Sequence, residues 1–216
     1  QRGDARYRRL TYPPTAAAAI SSVSYVVGGG GGKAKTGVPN RITLVAREAK
    51  PDLQEVAHVD FDDDRVVGLA LHPSEKLCVV TTSGGATHGC SYTDTELKKE
   101  FTTTTAKAGP DGEFPSQRAV AVGPKGDQVA LGMGDKVVLW KLGKGATGLS
   151  DQRVLESAHK DPVKEIVYMG DGKKMVSIDD SSCVVWELPA GKRACLGKPG
   201  MGGKGVGKLR GVALGA

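Results

Sequence analysis

The residues best suited to acid–base or nucleophilic chemistry are thinly spread in this chain. Its four histidines, His58, His72, His88 and His159, are scattered along it, and no Ser/His/Asp or Cys/His arrangement follows from their order or spacing. The four cysteines, Cys78, Cys90, Cys183 and Cys195, form no C-x-x-C pair and have no His or Asp neighbours at metal-ligand spacing. Cys78 and Cys183 lie in apolar runs and are expected to be buried thiols, which suits a reducing, cytosolic compartment. The acidic run Asp60-Phe61-Asp62-Asp63-Asp64 lacks the glycine turn and distal glutamate of an EF-hand loop, so it reads as a solvated connection. No catalytic residues are expected, and no bond-making chemistry.

One stretch stands apart. Residues 28–40 read Gly-Gly-Gly-Gly-Gly-Lys-Ala-Lys-Thr-Gly-Val-Pro-Asn. Five successive glycines lose more backbone entropy on ordering than any other residues would. Such a run is either floppy or needed for backbone shapes that a side chain forbids. It is not a phosphate cradle. In the P-loop frame ending at Gly32-Lys33, Val27 takes the first glycine position and Ala34 takes the Ser/Thr position. A dinucleotide fingerprint would need a helix next, whereas Arg41-Ile42-Thr43-Leu44-Val45 is strand-like. A second strand-like run, residues 21–27, precedes the glycines.

The elements that must hold this loop are short β-like runs split by Pro, Gly and Asp turns. Residues 66–72 lead through Pro73-Ser74-Glu75-Lys76 to 77–82. Residues 118–123 lead through Pro124-Lys125-Gly126-Asp127 to 128–131 and then 136–140. Residues 163–169 lead through Gly170-Asp171-Gly172-Lys173 to 174–178 and then 183–186. The turns at Pro73 and Pro124 are 51 residues apart, and Trp140 and Trp186 are 46 apart. A strand–turn–strand–turn–strand unit recurring at roughly 40–50 residues is the sign of propeller blades. The last unit is similar to a WD repeat: His159 precedes its first strand, Ser177 and Asp179/Asp180 mark its turn, and Trp186-Glu187 closes it. That resemblance implies a buried structural hydrogen-bond set, with His159 and Asp180 as structural residues. The expected fold is an all-β WD-repeat β-propeller. About four blades are present, roughly 10–61, 62–106, 115–155 and 158–196, with 197–216 a Gly/Lys-rich linker or disordered tail.

The formal charge of +6 resides in the last stretch. Residues 191–216 carry six basic side chains and no acid, and the remainder balances at 24 basic to 24 acidic residues. The body has no net basic field, so no nucleic-acid partner is expected. No run approaches the roughly 20 apolar residues of a membrane-spanning helix, and no signal peptide is expected. The chain opens on Gln1, as a processed or trimmed segment would.

The glycine run, the short polar insert and then Gly37-Val38-Pro39-Asn40-Arg41-Ile42-Thr43 resemble the signature loop of a known family. It comprises the endoplasmic-reticulum guanine-nucleotide exchange factors for the small GTPase that starts COPII coat assembly, the prolactin regulatory element-binding protein family. Tyr12-Pro13 also fits. The resemblance covers about four of that family's seven blades. It implies a guanine-nucleotide exchange factor in ER–Golgi vesicle-mediated protein transport, acting at the cytosolic face of the endoplasmic reticulum membrane. It implies a GTPase-binding loop of Gly28, Gly29, Gly30, Gly31, Gly32, Gly37, Val38, Pro39 and Asn40, with Asn40 central to engagement. It further implies a potassium ion held by backbone carbonyls within 28–40, and further blades and a membrane anchor beyond these residues. The residue chemistry is compatible: glycines let carbonyls converge on a hard cation, Pro39 stiffens the exit, and Asn40 offers amide donors and an acceptor to a partner. A non-catalytic WD-repeat scaffold or trafficking chaperone for ER export is the alternative.

Overall fold

The apolar runs fold as strands, and their pairing follows chain order. The computed structural model describes residues 10–33, 37–47, 53–155 and 159–197. The tail expected over 197–216 therefore lies almost wholly outside the described residues. Sheet one contains β1 (Pro14–Ala19), β2 (Ser24–Gly29), β3 (Arg41–Arg47) and β4 (Leu53–Asp60). Sheet two contains β5 (Val66–Leu71), β6 (Leu77–Thr82), β7 (Ala86–Tyr92) and β8 (Leu97–Thr104). Sheet three contains β9 (Val120–Val122), β10 (Gln128–Met133), β11 (Lys136–Leu142) and β12 (Leu149–Val154). Sheet four contains β13 (Glu165–Tyr168), β14 (Lys174–Ile178), β15 (Cys183–Glu187) and β16 (Lys192–Gly197). Each sheet is an antiparallel meander, and no helix occurs among the described residues. The all-β class stands, in an arrangement compatible with a propeller-like fold.

The repeating unit has four strands, one more than the three-strand sequence pattern. The outer strand of sheet three is polar: β12 reads Leu-Ser-Asp-Gln-Arg-Val and exposes every residue after Leu149. An edge strand with solvent on both faces shows no apolar alternation, so its sequence resembles a loop. The polar threonines at 102–104, whose sequence resembles a loop, likewise belong to β8.

Period-two alternation explains how the sheets stack. In β6, Cys78 and Val80, with Val66 of β5, pack toward Val26, Ile42 and Leu44 of sheet one. Their neighbours Leu77 and Val79 pack toward sheet three with Val129, Leu131 and Val138. In sheet three, Ala130, Val137 and Leu139 face Met175, Val184 and Trp186 of sheet four. The central strands are buried on both faces and therefore read as continuous apolar runs. First strands adjoin in order, β1 to β5 to β9 to β13. Together they line a cavity of about 300 Å³ that includes Thr15, Gly68, Val120 and Ile166.

Sheet four contains a chain of buried polar contacts. The Trp186 indole N–H donates to Ser177 Oγ at 2.7 Å, and Ser177 Oγ lies 2.6 Å from His159 Nε2. His159 Nδ1 lies 3.2 Å from Asp179 Oδ2. One neutral tautomer satisfies the set: Ser177 O–H donates to Nε2 and Nδ1–H donates to Asp179. Burial holds His159 below the ordinary imidazole value, against the pull of Asp179. The acid in this set is Asp179, not Asp180. Asp180 pairs instead with Lys164 at a half-buried position. Sheet three has the same strand register but lacks the set. Trp140 opposes Val129 as Trp186 opposes Met175, and Leu131 occupies the position of Ser177. The buried Trp140 Nε1 has no partner, because the repeat keeps the indole and replaces the hydroxyl by an alkyl group.

Candidate functional site

Antiparallel meanders place the second–third strand turn and the outgoing linker at the same end of each sheet. Here they bond to one another. The turn after β6 accepts at Gly85 O from the Thr105 and Ala106 N–H groups, and the turn after β10 meets both flanking linkers at Gly134. In sheet one this turn is expanded into the glycine loop.

The loop is shorter than its sequence suggests. Gly28 and Gly29 are paired inside β2, opposite Ile42 and Arg41. A Cβ on Gly28 would lie 2.6 Å from Val66 Cγ1, and one on Gly29 would overlap the Pro13 carbonyl. A Cβ on Gly30 would overlap the Asn40 side chain. Gly32 and Gly37 face open space but have φ of +74° and +73°, where only glycine sits without strain. Packing fixes the first group and backbone shape fixes the second.

Asn40 clamps the loop from inside. Its Oδ1 accepts the Gly32 N–H at 2.8 Å, and its Nδ2 donates to Gly32 O at 3.2 Å and to Asp62 O at 2.8 Å. The residue is 4% exposed. The amide expected to be offered to a partner is thus engaged internally. Asn40 O also accepts the Phe61 N–H at 2.8 Å. The acidic turn is consequently part of the site. Asp62 has φ of +45°, and Phe61 is buried against the His88 ring with centroids 4.8 Å apart. His88 Nδ1 lies 2.9 Å from Thr102 Oγ1, while its buried Nε2 has no partner. Burial, assisted by nearby Lys99, lowers the His88 pKa to about 4.

The remaining histidines are not brought together. His58 lies 2.9 Å from Glu55, and His72 ties the Ser74 and Glu75 N–H groups to Gly126 O. Cys78 and Cys90 are buried, but Cys183, expected to be buried, is half-exposed. It shares its face of β15 with the half-buried Val185, whereas Val184 and Trp186 on the other face are buried. Among the described residues no three His, Cys, Asp or Glu side chains converge as a metal site. Among the described loop residues, Gly32 O accepts an Asn40 Nδ2–H and Asn40 O accepts the Phe61 N–H. Neutral carbonyl donors suit a weakly held monovalent cation, since a divalent ion is normally bound with carboxylates.

No family model matches the chain, and no curated protein matches it either.

Proposed function

We propose that the chain is a guanine-nucleotide exchange factor, with the 30–40 loop docking on the small GTPase that initiates COPII assembly at the cytosolic face of the endoplasmic reticulum. The four sheets are then WD-type blades, as the Asp179–His159–Ser177–Trp186 set suggests. The observation that carries the reading is the loop itself. Its motif resembles that family's signature loop, and Gly30 and Gly32 are held by packing and hydrogen bonds to Asn40. Exchange needs no acid–base group. A factor that binds nucleotide-free GTPase more tightly than the GDP form weakens GDP binding by the same ratio. Asn40 contributes here by shaping the loop. The loop carbonyls would hold a potassium ion, which would add rigidity to the segment.

A second reading, a non-catalytic scaffold for ER export, is favoured by the internal engagement of the Asn40 amide. Release of labelled GDP from the purified GTPase separates the two. Acceleration by the wild-type protein, lost in Asn40→Ala and weakened when lithium replaces potassium, is expected for the exchange factor. Release unchanged by the wild-type protein leaves the scaffold.

A further inference from the structure

A second support for the loop comes from the linker between sheets two and three. Lys33, one residue past the clamped Gly32, places its ammonium 5.9 Å from the centroid of the Phe114 ring. That ring is half-buried and lies on Gly85, where φ is +80° and a Cβ would overlap it. The linker carrying Phe114 is firmly built. Gly109 N–H donates to Glu113 O at 2.7 Å, Gly112 N–H to Gly109 O at 2.9 Å, and Glu113 N–H to Asp111 Oδ1 at 3.0 Å. Just beyond it, Ser116 O accepts the Gly134 N–H, and the buried Gln117 side chain bonds Thr105 Oγ1 at 2.9 Å.

The contacts close a circuit. Asn40 ties the loop to the acidic turn, Arg65 and Ser83 tie that turn to the one after β6, Gly85 seats Phe114, and Phe114 meets Lys33. We infer that Phe114 is a positioning residue for the glycine loop, acting through a cation–π contact with Lys33. The loop is held at its root by Asn40 and at its outer turn by the ring. The functional arm of the inference rests on the exchange-factor reading; the structural arm does not.

The test is a double-mutant cycle with two readouts. Amide hydrogen exchange at Gly30 and Gly32, corrected for intrinsic rates, is measured on the protein alone. GDP release is measured with the GTPase present. Phe114→Leu and Lys33→Met should each speed loop exchange by about 2- to 5-fold, the size of an exposed cation–π contact. The double variant should be no worse than either single one, and Phe114→Tyr and Lys33→Arg should retain protection. GDP release should fall in parallel, with strand protection unchanged. Multiplying effects, an unaltered loop, or loss of protection spread over the strands overturns the inference, as does a loosened loop with full GDP-release activity. If the wild-type protein releases no GDP, the exchange-factor reading fails while the exchange arm still decides the role of Phe114.

Discussion

The second–third strand turns of sheets one and four solve one problem with opposite results. In both, a buried side chain binds the turn backbone and the adjacent linker. Asp179 accepts the N–H groups of Ser181 and Ser182 within its turn and of Lys160 and Asp161 in the linker. Asn40 bonds Gly32 within its loop and Asp62 in the linker. In sheet four the network runs inward to Trp186 and ends in the core. In sheet one it runs from Asn40 to Gly32 and Asp62 and shapes the glycine loop. A buried polar clamp can thus tie a turn into the core or fix the shape of a loop, and the direction of its contacts separates the two.

The largest expected effect lies in sheet four. Asp179→Ala leaves four backbone donors and His159 without their acceptor, at a cost of about 3–5 kcal/mol, read as a drop in the urea midpoint. Burial alone would raise the Asp179 carboxyl, but its N–H donors outweigh that and hold it well below the usual range. Its contribution is present above the unfolded value near pH 4 and fades only as pH falls through the lower folded value.

Acid should reach the support of sheet one earlier. His88 has a lowered folded pKa of about 4 against 6.5 unfolded, so the unfolded chain takes up the proton first. Stability is full above pH 6.5, declines as pH falls toward 4, and is flat below for this group, a change on the order of 3 kcal/mol. His88→Phe should flatten urea midpoints across that window. An unchanged slope would place the titration elsewhere.

The two tryptophans sharpen the contrast within the core. Trp186→Phe leaves Ser177 Oγ without its indole donor and should cost about 2–3 kcal/mol, whereas Trp140→Phe removes an N–H that has no partner and should cost about 1 kcal/mol or less. Equal losses by thermal unfolding would mean that indole volume, not the hydrogen bond, sets both.

The sequence makes the fold's inner strands legible, because β6, β10 and β14 are apolar runs bounded by turns such as Pro124–Asp127. It hides the outer strands, because solvated edges such as β12 carry no apolar period. Adjacent acids at 179 and 180 are equivalent on paper; only the end of β14 decides which one points back toward His159. The glycine loop stands out by composition. The internal use of Asn40, the recruitment of the acidic turn and the approach of Lys33 to Phe114 join residues 8 to 81 positions apart, and local spacing does not encode them.

The contrast is tested most directly by amide exchange on wild type and Asn40→Ala. The Gly30 and Gly32 amides should be protected in the wild type. In the variant they should lose that protection by about 5- to 30-fold, matching roughly 1–2 kcal/mol of lost hydrogen bonding, while β6, β10 and β14 keep theirs. Rapid exchange of those amides in the wild type, or an Asn40→Ala loss spread through all four sheets, would contradict the assignment of this clamp to the loop.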